Sequence, residues 1–92
     1  MTQWQFVDEP IMVQARFDAQ GRTQPVAFVW RNRTRYVTDV GREWVDETNG
    51  DAPRRCFLVR AANGDTFELR LELKTLRWRL HRACFQPQRF QV

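Results

Sequence analysis

Apolar side chains fall at every second position through most of residues 54–84, and that period commits the stretch to β-strands rather than helices. Phe57 and Val59 share one face, as do Phe67, Leu69 and Leu71, and the residues between the last three, Glu68 and Arg70, are charged. Three consecutive strands are therefore predicted at 54–61, 66–73 and 76–84. A two-residue turn at Asn63-Gly64 would set Val59 opposite Glu68 and split the apolar sets between the two faces. A type I turn on Ala62-Asn63, with a left-handed Gly64 as bulge, sets Val59 opposite Phe67 and Phe57 opposite Leu69. Burial selects the second. In the last hairpin a Lys74-Thr75 loop puts Leu71 opposite Trp78 and Leu69 opposite Leu80. The same register faces Glu72 to Arg77, Arg70 to Arg79 and Glu68 to His81 on the outside, and it survives a loop longer by two residues.

The first half reads less regularly. Residues 11–17 place Ile11, Val13, Ala15 and Phe17 on one face, and the polar stretch 18–24 with Gly21 is a loop. Residues 26–31, rich in β-branched and aromatic side chains, form a strand that Asn32 and Arg33 turn into another at 34–40. Which face of this hairpin is buried depends on whether its loop has two or three residues. Residues 41–44 leave the strand, and 46–53, acidic with Gly50 and Pro53, form the most loop-like part of the chain. Only 1–10 and 41–48 have room for a helical turn. The expected fold class is mainly β: a small antiparallel sheet of five or six strands, curled into a barrel-like fold that protects its edges.

Ninety-two residues suffice for one domain, 1–92, with 85–92 as a loose tail. No apolar run approaches the roughly 20 residues that span a bilayer, so no membrane partner is expected. The N-terminus lacks the basic and apolar regions of a secretory signal, which makes the cytoplasm the expected location. The two cysteines, Cys56 and Cys84, suit buried small hydrophobes better than a disulfide. With one histidine and no C-x-x-C, no metal site and no cofactor are expected.

Nothing in the chain assembles a catalytic centre. It contains no serine, and its single His81 lies three residues from Cys84, on the opposite face of a strand. The expectation is a non-enzymatic protein. Charge is more informative. Fifteen basic residues, fourteen of them Arg, oppose eleven acidic ones, and residues 31–92 alone carry a net +5. Arg31, Arg33 and Arg35 surround one hairpin tip beside Trp30 and Tyr36, and Arg60, Arg70, Arg77 and Arg79 share one face of the later strands. Cations for a phosphate backbone and π-faces for bases are what single-stranded nucleic acid requires. The same arginines also suit a solvated face or a protein contact, and both readings stand open. The oligomeric state is not encoded in any feature of the sequence.

Three stretches carry a family likeness. Phe6 to Val13 resembles a pattern of an aromatic, then Glu-Pro-Ile and a strand. Phe28 to Val37, followed by Trp44, resembles a Phe-x-Trp-Arg-Gly-Arg-x-Tyr-x-Val hairpin. Residues 54–60, 67–69 and 78–82 resemble the closing strands of the same pattern. The chain thus resembles a bacterial family, domain of unknown function 6504, which is similar to the C-terminal segment of ImuB-type relatives of Y-family translesion polymerases. Asn32 replaces the family's turn glycine, a change that a left-handed Asn tolerates, and the last strand ends Ala83-Cys84-Phe85 rather than in an aromatic and an acid. The resemblance implies a non-catalytic role near bacterial DNA-damage tolerance, with translesion-synthesis proteins as partners, and carries no binding residues with it.

Overall fold

The computed structural model describes residues 3–48, 50 and 52–86. They form seven strands and no helix: β1 (Trp4–Pro10), β2 (Met12–Phe17), β3 (Thr23–Trp30), β4 (Arg33–Asp46), β5 (Arg54–Ala61), β6 (Thr66–Glu72) and β7 (Trp78–Cys84). All pair antiparallel in one sheet, ordered β1-β7-β6-β5-β4-β3-β2. The strands at the two ends of that order, β1 and β2, are joined by Ile11 alone, whose N–H donates to the Trp78 carbonyl at 3.2 Å. Since one residue spans under about 4 Å, the sheet has to curl until its edges approach there. The result is a half-barrel.

Two corrections to the expected layout share one cause. The stretches 1–10 and 41–48, which have room for helical turns, are strand through Trp4–Pro10 and up to Asp46. The strand count is therefore seven, not five or six. In both stretches bulges interrupt the period-two pattern. The β1–β7 register shifts between Phe6 and Glu9, where Asp8 has φ +51°, and the β4–β5 register shifts at 37/39 and again at 40/42. Each shift moves later side chains out of phase, so a true strand loses its sequence signature. The bulges also bend the fourteen-residue β4, whose first four residues pair with β3 and whose remainder pairs with β5.

The hairpin geometry follows burial. Phe57 opposes Leu69 and Val59 opposes Phe67, with Gly64 at φ +94°. Leu71 meets Trp78 and Leu69 meets Leu80 across a loop two residues longer than Lys74-Thr75, as the Glu72 N–H bond to the Arg77 carbonyl shows. One pairing differs from expectation. A shift between Glu68 and Leu69 skips His81, so Glu68 faces Arg82. The β3–β4 turn is the two-residue Arg31-Asn32, both left-handed at φ +53° and +59°, as in a type I′ turn. That register sends Phe28 and Trp30 inward. The β2–β3 loop is shorter than predicted, with Thr23 already in β3.

The concave face holds the core. Phe28, Trp30, Phe57, Val59, Ala61, Phe67, Leu69, Leu80 and Ala83 are buried together, and Val13 and Trp78 pack against them. Phe17 lines one depression with Val13 and Ala15, and at the end of β2 it is 69% exposed. Edge-on contacts of Phe28 and Trp30 with the Phe67 ring, at 5.0 and 6.0 Å, tie β3 across the half-barrel to β6. Each such pair contributes about 1 kcal/mol beyond the area it buries.

Candidate nucleic-acid interface

At the β3–β4 hairpin the left-handed turn throws Arg31 back over the Trp30 ring, 4.3 Å from its centroid. Arg33 stands exposed on the next strand. Arg35 lies on the concave side opposite Phe28, with its guanidinium 4.8 Å from Trp30 and 5.5 Å from Phe67. Its Nε is buried without a hydrogen-bond partner. Desolvation first, then the neighbouring Arg33, pushes its pKa below the usual guanidinium range, yet a guanidinium stays charged in a protein. Tyr36, 62% exposed, and the Ala61–Asn63 turn complete a shallow depression shared with Arg33 and Arg35. The nearest acids are occupied: Asp65 accepts from Asn63 and from the Gln86 N–H, and Glu9 accepts from Trp30 Nε1. Among the described residues Arg31, Arg33 and Arg35 form no salt bridge.

The other four candidate arginines do share the convex face, in two different conditions. Arg79 donates from Nε to Asp8 Oδ1 and from Nη2 to the Asp8 carbonyl, at 3.0 and 2.7 Å, and so fastens the left-handed bulge of β1. Arg70 donates from Nε to Glu68 at 2.8 Å and lies 3.7 Å from Asp46. Both are tied into the fold. Arg60 and Arg77 are exposed and form no salt bridge among the described residues. Only Arg60 lies near the hairpin tip, directly before the Ala61–Asn63 turn, where the Ala62 N–H bonds the Tyr36 carbonyl.

Sequence reasoning overlooked part of this face. Glu68, on the outside of a central strand, is only 1% exposed, because Arg70 and Arg82 fold over it and each gives an Nε to one carboxylate oxygen, at 2.8 and 2.7 Å. Their aliphatic stems close off the carboxylate, and the guanidinium edges stay wet. Arg82 then stacks over Trp4 at 4.1 Å, beside Phe6, which is 77% exposed. Arg42 stacks likewise over Trp44. Trp4 and Phe6 stand two apart on one strand, so the signal existed as Trp-x-Phe; the bulge at Asp8 hid the strand that gives it meaning.

His81 packs edge-on against Phe6 at 5.2 Å, and burial, followed by Arg70, lowers its pKa. Cys56 is fully buried and its thiol is pushed up to about 11, chiefly by desolvation. Among the described residues no three His, Cys, Asp or Glu side chains gather as metal ligands would.

The strands that carry this hairpin and the convex face fall within the reach of one family model. The model of a domain of unknown function, DUF6504, matches residues 1–84. The chain belongs to this family. The DUF6504 match thus spans β1 through β7. No curated protein and no solved structure matches the chain.

Proposed function

We propose that this DUF6504 domain is a non-enzymatic module that binds nucleic acid through the β3–β4 hairpin tip, in the bacterial cytoplasm and within DNA-damage tolerance. The observation that carries the reading is the state of the tip arginines. Arg31, Arg33 and Arg35 crowd one turn with no salt-bridge partner among the described residues, whereas Arg22, Arg55, Arg70, Arg79 and Arg82 are all paired with carboxylates. Mutually repelling, partly desolvated cations are relieved by a phosphate. Arg31 also holds a left-handed backbone that costs a non-glycine residue about 1 kcal/mol or more, and such strain gathers at functional sites. The buried, high-pKa Cys56 and the packed His81 support binding over catalysis. The process comes from the likeness to ImuB-type segments, which also makes translesion-synthesis proteins the natural company of the domain.

Fluorescence anisotropy with labelled oligonucleotides at low salt tests this. The wild type is expected to bind with an affinity that falls steeply as salt rises, and replacing Arg31 and Arg33 by Ala should lower the slope of log affinity against log salt by about 2. A second reading has its own observation: Met12, Val29 and Tyr36, at 74%, 37% and 62% exposure, form an apolar outer patch on β2–β4 suited to a protein. No oligonucleotide binding at tens of micromolar, with a salt-insensitive protein contact through that patch, would replace the first reading by the second.

A further inference from the structure

On the convex face four residues stand in one row across four neighbouring strands: Trp4 on β1 pairs with Cys84 on β7, Cys84 with Thr66 on β6, and Thr66 with Arg60 on β5. At roughly 4.8 Å per strand the row is about 14 Å long. Its Arg60 end runs into the Ala61–Asn63 turn and so into the depression beneath Arg33, Arg35 and Tyr36. Its other end is aromatic: Trp4, a third exposed under the Arg82 guanidinium, and Phe6, three-quarters exposed against His81. The row contains no carboxylate. The next position beyond Arg60 is Asp39 on β4, exposed and without a salt bridge among the described residues, while Glu68 has both oxygens taken by Arg70 and Arg82.

We infer that this row is the path of a single nucleic-acid strand, whose phosphates lie over Arg60 and the hairpin tip and whose unpaired bases stack on Trp4 and Phe6. The inference rests on the tip reading above and specifies its ligand as single-stranded. The chemistry follows from what the row offers. One end supplies Arg60 and the three tip arginines against the single acid Asp39, an excess of cations that a phosphodiester needs. The other supplies two aromatic faces on a rigid strand, which a base can use only when it is free of its complement. A duplex keeps its bases stacked inward and could use the arginines alone. The path crosses the strands at the end of the sheet where the chain also turns at Gly64; there β1 is held by its pairing with β7 at Trp4–Cys84, Gln5–Ala83 and Phe6–Arg82, so the aromatic end is fixed in place relative to the cationic end.

The test compares a labelled single strand, its blunt duplex, and a strand of abasic sites of equal length, each with the wild type, Phe6→Ala and Trp4→Ala. Phe6 is exposed, so its removal leaves the fold intact; urea midpoints verify this for both variants. Phe6→Tyr keeps the ring and serves as the rescue. The expected result is tighter wild-type binding of the single strand than of the duplex. Phe6→Ala and Trp4→Ala should weaken the single strand at least fivefold, Phe6→Tyr should restore it, and the abasic strand and duplex should be unaffected by any of the three. Equal wild-type affinity for strand and duplex, or indifference of the single strand to both alanine variants, overturns the inference and leaves the tip reading standing. Absence of binding to all three probes overturns both.

Discussion

A carboxylate can sit fully covered in the outer face of an Arg-rich sheet because of stoichiometry at one residue. Glu68 takes an Nε from each of two arginines, so the group loses water and gains two charge-assisted bonds at once. That arrangement removes Arg70, and half of Arg82, from the pool of cations that a partner could use. Charge counting along the sequence cannot see it. His81 is the adjacent titrating group: burial lowers its pKa below the usual 6.5, with Arg70 and Arg82 adding to the effect and Glu68 and Asp8 opposing it. A lowered pKa means that the unfolded chain binds the proton more readily. The stabilisation is thus complete above about pH 6.5 and declines as pH falls toward the folded value. The carboxylates of Asp18 and Asp46, lowered below 3.8 by hydrogen bonds, act only in more acidic solution. Urea midpoints should therefore drop between pH 7.5 and 5.5 in the wild type and stay nearly level in His81→Gln; an equal drop in the variant would place the titration elsewhere.

The β5–β6 and β6–β7 connections each place a left-handed residue where the chain turns, and they fill the position differently. Gly64 at φ +94° suits its turn, and a Cβ there would meet Gln86 Cγ at 3.2 Å. Leu76 at φ +58° does the same work in the β6–β7 loop with the wrong side chain, 69% exposed. Gly64→Ala should cost about 1–2 kcal/mol in urea unfolding, whereas Leu76→Gly should be neutral or gain up to about 1 kcal/mol, because relief of the left-handed strain exceeds the added chain entropy. Destabilisation by both changes would mean that Leu76 makes contacts worth more than its strain. These two elements also show what a sequence can reveal. The Gly64 hairpin was legible because burial of Phe57, Val59, Phe67 and Leu69 admits one register only. The shift at Glu68/Leu69 was not, since skipping His81 leaves Leu69 and Leu80 paired either way and no apolar residue votes against it. The strand character of β1 and the far half of β4 was hidden for the related reason that their bulges reset the alternation. As for the site, Arg31 and Arg33 were readable from spacing at a turn. The aromatic end was not readable without β1.

The order of strands makes the molecule's stability uneven in a measurable way. β5 lies in the middle of the sheet, paired on both sides, while β1 is an edge that holds the last residues of β7 from one side only. One thiol reports on each region: Cys56 on β5, wholly buried, and Cys84 at the end of β7 opposite Trp4 of β1, also buried. Detaching β1 uncovers Cys84 without disturbing the β4–β5–β6 ladders, whereas uncovering Cys56 requires those ladders to open. Thiol labelling of the two single-cysteine variants, Cys56→Ala and Cys84→Ala, reads the two events separately. Cys84 should label in native buffer at a rate nearly independent of low urea, the signature of local opening. Cys56, with its thiol near 11, should label only as fast as the whole sheet unfolds, accelerating steeply with urea. If both thiols share one urea dependence, β1 leaves only when everything does. Such a half-barrel would be a single cooperative unit, closed in function by the one residue, Ile11, that ties its edges together.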